Sequence, residues 1–333
     1  MSVEPTAREN WLAERRTGIG GSDAAAVCGM STWETPLDVY MEKVGYLDAM
    51  GRSGKEETAD MRRGTLLEPV VLQMYTDETG LVVSKPAVAM VSKEYPFMRA
   101  NLDGITLDNR RCIEAKTARN RAGWGDPWSA EIPLAYLFQC QHNMVVSGLG
   151  VCDVPVLFGD FEFAVYEIPA DVEFQQLMIE REREFWAMVE ARTPPDPINA
   201  ADVSKRWPIS KPISRPATKV DLEVAGQLLA IKEYYKKLEA YKESLEAELK
   251  RSMEDVEALA CGEEIICTWK TARAGSRFDA KKCQAENPEL FQKYLYQSAA
   301  SRRFLLKGDC ECLQIMKPML GESFLEGRKL LGS

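Results

Sequence analysis

The stretch Ala100-Asn101-Leu102-Asp103-Gly104-Ile105, with Cys112-Ile113-Glu114-Ala115-Lys116-Thr117 a few residues on, decides the reading of this chain. In the second segment apolar and polar residues alternate, so as a strand it places residues two apart on one face. Glu114 and Lys116 then project together with Cys112, while Ile113 and Ala115 point the other way. Asp103, ending a preceding strand, can meet Glu114 across a turn at Asp108 to Arg111. Two carboxylates are hard oxygen ligands for Mg2+, and an ammonium beside them suits attack on a phosphodiester. A divalent ion neutralises the charge of that transition state and lowers the pKa of a bound water. A plain hairpin with a surface Glu-Lys pair carries the same three residues, so the neighbouring segments must arbitrate.

Arg62-Arg63-Gly64-Thr65-Leu66-Leu67-Glu68-Pro69 leads into a helical pattern at Val70, Val71 and Met74. Pro69 suits a first turn and Gly80 a stop, which sets Glu68 at a helix start. A second helix spans Leu134 to Val146, apolar on most of its circumference but interrupted by Gln139 and Gln141. Buried amides need partners, and either core groups or an active-site water or phosphate supplies them. Near the amino terminus, Arg15-Arg16-Thr17-Gly18-Ile19-Gly20-Gly21-Ser22-Asp23 precedes a helical Ala24-Ala25-Ala26-Val27. Gly-rich backbone opening a helix offers N–H groups to a phosphate, or is a tight turn with an ordinary cap. It lacks the spacing of a Walker or dinucleotide-binding loop.

In order and combination these blocks resemble the YqaJ-type phage recombinase family, relatives of lambda exonuclease within the PD-(D/E)XK nuclease superfamily. The similarity covers roughly residues 8 to 168 and includes Ser31-Thr32-Trp33-Glu34-Thr35-Pro36, Arg63 to Glu68, and Gln139-Cys140-Gln141-His142-Asn143-Met144. The resemblance implies that Asp103, Glu114 and the backbone carbonyl of Ala115 hold Mg2+ or Mn2+, with Glu68 completing the shell directly or through water. It implies that Lys116 orients and helps deprotonate the attacking water. Gln141, or secondarily Gln139, positions that water or the scissile phosphate. Arg15 and Ser22 would bind a terminal 5′-phosphate, with Arg63 beside them on the DNA. The activity implied is an exonuclease acting on linear duplex DNA, 5′ to 3′, leaving 3′ overhangs for recombination by single-strand annealing. An annealing protein and a homo-oligomeric ring, a trimer, are the implied partners, in the cytoplasm of a bacterial host. An endonuclease on the same core and a non-catalytic DNA-binding scaffold are the alternatives.

A chain of 333 residues, 45% hydrophobic, exceeds one average domain and fills a sizeable core. Its net charge of -9 is no bar to DNA, because phosphate affinity rests on local cations. Arginines cluster at Arg15 and Arg16, Arg62 and Arg63, Arg110 and Arg111, and Arg119 and Arg121, to line a groove or to be solvated separately. Nine cysteines with one histidine, His142, give no zinc pattern and fit reduced thiols. No run is long enough to span a bilayer, and the first residues are not signal-like.

Periodicity predicts helices over 36–45, 56–79, 133–147 and 171–191, and strands over 81–91, 97–106, 111–118, 150–158 and 161–169. That is the order of a mixed α/β sheet flanked by helices, a PD-(D/E)XK core within a nuclease domain of residues 1–192. Recurrent prolines make 193–218 an extended linker. Residues 219–333 form a long amphipathic helix over 219–257, with Leu238, Tyr241, Leu245 and Leu249 as its stripe, and a small α+β appendage. In that appendage strands at 263–270 and 301–307 flank a helix at 279–295, and Trp269, Tyr294, Tyr296 and Phe304 are read as core in preference to a DNA-contacting surface beside Lys270, Arg273, Arg277, Arg302, Arg303 and Lys307.

Overall fold

The computed structural model describes residues 13–46, 58–159, 161–272, 275 and 278–296. Two compact units divide the chain, Met1–Arg206 and Trp207–Ser333. The first begins with β1 (Ile19–Gly20), α1 (Gly21–Val27), α2 (Pro36–Lys43) and α3 (Ala59–Thr79). Short strands follow: β2 (Val83–Ser84), β3 (Met90–Val91), β4 (Met98–Ala100), β5 (Gly104–Thr106), β6 (Arg111–Ile113) and β7 (Lys116–Ala118). Helix α4 (Leu134–Ser147), β8 (Val151–Phe158), β9 (Phe163–Pro169), α5 (Val172–Glu190) and α6 (Ala200–Arg206) complete the unit.

The main sheet is mixed, as expected. Strand β8 pairs antiparallel with β9 on one side and parallel with both β6 and β7 on the other, while β5 and then β2 extend the sheet in antiparallel fashion. Helices cover both faces, which is why β8 is buried along nearly all its length. Cys112, Cys152, Val154 and Val156 pack with Cys140 and Met144 of α4. On the opposite face Ile113 and Val165 pack with Tyr75 of α3. Asp153 is buried there without an orphaned charge, because Tyr75 Oη and Arg111 Nη1 donate to it at 2.5 and 2.9 Å. A smaller sheet joins β1, β4 and β3, and a second cluster packs Ile19, Val27, Leu37 and Tyr40 against Phe185 and Val189 of α5.

Several boundaries differ from expectation. The strands read over 81–91 and 97–106 each divide between the two sheets, so Asp103 precedes β5 and does not end a strand. Gly104 marks the crossing, since a Cβ there would lie 2.1 Å from Val83 Cγ1. Helix α3 starts at the Thr58 cap, close to the expected span of 56–79, and carries Pro69 in its interior, so Glu68 lies mid-helix and the reading of Glu68-Pro69 as a helix start does not hold. The Pro-rich segment is not wholly extended: α6 lies within it, and Asp202 is buried with Thr35 Oγ1 donating to it at 2.9 Å.

The second unit holds α7 (Lys219–Met253), capped by Thr218, an antiparallel hairpin of β10 (Ala258–Cys261) and β11 (Glu264–Thr268), then α8 (Ala280–Glu286) and α9 (Pro288–Lys293). The helix expected over 279–295 is thus broken at Asn287-Pro288, as proline dictates. Trp269, Tyr294 and Tyr296 are exposed, not core, and so are Leu238, Tyr241, Leu245 and Leu249. The strand expected at 301–307, with Arg302, Arg303, Phe304 and Lys307, lies outside the described residues, as do Arg273 and Arg277.

Candidate active site

The strand expected over 111–118 is interrupted at Glu114 and Ala115, and a proline explains the gap. In a parallel ladder Glu114 would donate to the carbonyl of residue 153 and accept from the N–H of residue 155. The first bond is present, Glu114 N to Asp153 O at 3.0 Å, but residue 155 is proline and has no N–H. Pairing stops for two residues and resumes at Lys116, opposite Val156. Inside the gap Ala115 N donates to Asp103 Oδ2 at 2.9 Å. Loss of one ladder bond thus coincides with the point where the two carboxylate-bearing segments meet.

Cys112, Glu114 and Lys116 share the α4 face of the sheet, as alternation requires. Lys116 Nζ reaches Glu114 Oε1 at 2.6 Å and Gln139 Oε1 at 3.0 Å. Gln139 Nε2 donates to the same Glu114 oxygen at 2.7 Å, and Asn143 Nδ2 to Oε2 at 2.9 Å. Glu114 is buried, and these donors satisfy its charge. Residues 136, 139 and 143 follow helical spacing on one stripe of α4, and Lys116 Nζ also lies 4.9 Å from the centre of the Tyr136 ring.

Gln141 stands on a different side of that helix. Its Nε2 donates to Pro169 O at 2.9 Å, and its Oε1 accepts from Asp171 N and Gln175 Nε2 at 3.0 and 2.9 Å. Two residues advance a helix by about 200°, so Gln139 and Gln141 cannot serve one site. Gln139 joins Glu114 and Lys116, and Gln141 fastens the start of α5. His142 is likewise structural, its ring nitrogens 2.8 Å from Glu182 Oε1 and 2.9 Å from the Arg99 carbonyl. Burial works against its protonation, but the Glu182 carboxylate outweighs it and raises the pKa above the ordinary imidazole value.

Burial, then the neighbouring Glu114 charge, pushes the Asp103 carboxyl up to about 8, and Lys116 only partly offsets this. Burial opposes the Lys116 ammonium, yet Glu114 and Asp103 hold its pKa above that of an ordinary lysine. Glu68 adds to the charge acting on Asp103 and is itself paired with Lys85 Nζ at 2.5 Å. Lys85 and Asn143 are residues that sequence reasoning missed. Asn143 had a signal, being polar and four residues from Gln139 on an apolar helix. Lys85 had none, since only the fold brings β2 to α3.

Arg15 and Ser22 are together, with Arg15 Nη1 3.5 Å from Ser22 Oγ. The guanidinium also reaches Asp23 at 2.6 Å and Glu42 at 3.0 Å, and Lys43 Nζ binds Asp23 from within the core at 2.6 Å. Gly21 explains how α1 comes so close to α4: a Cβ there would lie 2.3 Å from Asn143 Oδ1 and 3.3 Å from Gln139 Cγ, the two amides that hold Glu114. Arg63 Nη2 donates to Ala118 O at 3.0 Å, tying α3 to β7. The other clustered arginines are largely countered by carboxylates, Arg111 by Asp153 and Glu167, Arg119 by Asp60, and Arg121 by Glu162.

A mixed sheet whose broken rung joins two carboxylates and a lysine defines the class of site. A family model for the YqaJ-like viral recombinase domain matches residues 10–150. The uncharacterized protein YqaJ of Bacillus subtilis strain 168 is 31% identical over 312 residues, covering 90% of this chain and 94% of that protein. The chain therefore belongs to the YqaJ-like viral recombinase family. Among solved structures, an alkaline exonuclease from Laribacter hongkongensis is 23% identical with a TM-score of 0.44, over 56% of this chain and 94% of that one. A phage-related exonuclease from Haemophilus somnus 129PT is 10% identical with a TM-score of 0.39, over 53% and 96%.

Proposed function

We propose that this protein is a Mg2+-dependent deoxyribonuclease that digests linear duplex DNA from its ends, 5′ to 3′, and leaves 3′ single strands for recombination by annealing. The observation that carries the reading is the meeting of Asp103, Glu114 and Lys116 at the interrupted rung, with Gln139 bridging Glu114 and Lys116.

The donor set fits a hard divalent cation. Burial, with the Glu114 charge added to it, raises the Asp103 carboxyl to about 8, and a cation shared between the two carboxylates would favour their ionised forms. Among the described residues no three His, Cys, Asp or Glu side chains form a ready-made metal cluster. Mg2+ does not require one, as it commonly takes one or two carboxylates and fills its octahedron with water and phosphate oxygens. Asp103, Glu114 and the Ala115 carbonyl would hold it, with Glu68 acting directly or through water, and Mn2+ could substitute. When bound, such an ion supplies charge neutralisation at the phosphate and acidifies a water.

The chain's own groups supply orientation. Lys116, kept as an ammonium by Glu114 and Asp103, donates to a water or a phosphate oxygen and stabilises developing negative charge. In that state it has no free lone pair, so taking up the water's proton requires its pKa to fall once substrate and cation engage the two carboxylates. Gln139 fixes the Lys116 ammonium relative to Glu114, and Asn143 holds the far Glu114 oxygen. Arg15 and Ser22 are the proposed readers of a 5′-phosphate, and Arg63 a further DNA contact. A single-strand annealing protein and a trimeric ring are the proposed partners.

Full-length protein with Mg2+ should degrade linear duplex and spare covalently closed circles. Lys116→Ala should abolish cleavage while retaining DNA binding. Digestion of circles at the linear rate would remove the end-directed reading, and absence of Mg2+-dependent cleavage from every substrate would remove the nuclease.

A further inference from the structure

Trp33 stands in the loop before α2, and two-thirds of its surface, 67%, is open to solvent. Its backbone is nonetheless fixed, because the N–H groups of Trp33 and Glu34 both donate to Ser31 Oγ, at 3.1 and 3.3 Å. The ring begins a row. Its centre is 6.1 Å from that of Tyr136, and Tyr136 stacks on Trp124 at 5.5 Å with 29° between the planes. Trp124 is anchored by Tyr166 at 5.0 Å and by Phe158, edge-on, at 5.9 Å. Both anchors are buried, Tyr166 and Phe158 belonging to the sheet core. The row therefore runs from the core to solvent and ends at Trp33, beyond which no further ring stacks among the described residues.

The middle ring, Tyr136, sits 4.9 Å from Lys116 Nζ. The exposed indole is thus one ring removed from the Lys116 ammonium, on the same aromatic row. A core role accounts for Trp124, whereas Trp33 presents its open face to solvent at the end of a row that passes beside Lys116. We infer that Trp33 is a stacking platform for a nucleobase of the cleaved strand, next to the phosphate handled at Glu114 and Lys116. This rests on the nuclease reading above and names a part of its substrate site. Every base offers a π-face, so such a platform would hold the strand without reading its sequence.

The test compares full-length wild-type protein, Trp33→Ala and Trp33→Phe for equilibrium binding to a labelled linear duplex with Ca2+ in place of Mg2+. Each of the nucleotides flanking the cleaved bond is made abasic in turn. Trp33→Ala should weaken binding of the intact duplex roughly five- to a hundredfold, the range of one base-aromatic stack. Trp33→Phe should restore most of the loss. At one abasic position wild type should drop to the affinity of Trp33→Ala, and Trp33→Ala should lose nothing more. Equal losses on intact and abasic duplexes, or no loss at all, would overturn the inference. Binding is read without cleavage, so the result stands whether or not the Mg2+-dependent assay of wild type succeeds.

Discussion

Replacing Gln139 and Gln141 separately with methionine, which keeps side-chain size and removes the amide, should divide catalysis from stability. Gln139 bonds to two charged partners, accepting from Lys116 Nζ and donating to Glu114 Oε1. A hydrogen bond to a charged group contributes about 1.5–3 kcal/mol. If one such bond's worth of alignment is needed only as the phosphate is attacked, kcat falls roughly 10- to 150-fold at 1.36 kcal/mol per decade. Gln141→Met instead strands the Pro169 carbonyl and the Asp171 N–H, each served by that amide. Pro169 and Asp171 are exposed, so water can reach the freed groups and each lost bond costs only its net worth, about 0.5–1.5 kcal/mol; Gln141→Met should lower unfolding stability by about 1–3 kcal/mol with kcat nearly unchanged. Cleavage kinetics on a linear duplex and urea denaturation, run on both variants, supply the measurements. A Gln141→Met protein that is stable but slow, or a Gln139→Met protein with wild-type kcat, would refute the assignment.

Arg15→Ala should erase discrimination between 5′-phosphorylated and 5′-hydroxyl ends in a competition digest, and an unchanged preference would remove Arg15 from end recognition. Gly104→Ala should destabilise by about 1–3 kcal/mol, because its Cβ would stand 2.1 Å from Val83 Cγ1, and adding Val83→Ala should recover most of that in chemical denaturation. His142 has a folded pKa raised by Glu182, so its contribution to stability is full below the ordinary imidazole value and is lost as pH rises through the folded one. The urea midpoint should fall over that upward window in wild type and lose this component in His142→Asn.

The sequence disclosed what depends on local periodicity. Alternation placed Cys112, Glu114 and Lys116 on one face, and α4, β8, β9 and α5 fall within a residue or two of their expected ends. What was hidden depends on distant parts of the chain. Gln139 and Gln141 are equally polar interruptions of one helix, and only the direction of the sheet tells which meets Glu114. Pro69 reads as a helix start by local rules while periodicity runs the helix over 56–79, and the periodicity prevails because Thr58 caps α3 eleven residues before the proline. The aromatics at 269, 294 and 296 were read as core because such rings usually are, and their exposure in the second unit shows where that rule fails.

Pro155 gives the molecule a separation of duties. A proline within a buried strand ordinarily counts against the strand, yet β8 keeps its full pairing with β9 and loses only one rung toward the Glu114-Ala115 segment. The pairing of β8 with β9 and the release of the Glu114 carbonyl from β8 are thereby set on opposite sides of one residue. Pro155→Val would supply the missing N–H to the Glu114 carbonyl and fuse β6 and β7 into one strand, leaving the Ala115 N–H, which points away from β8, with Asp103.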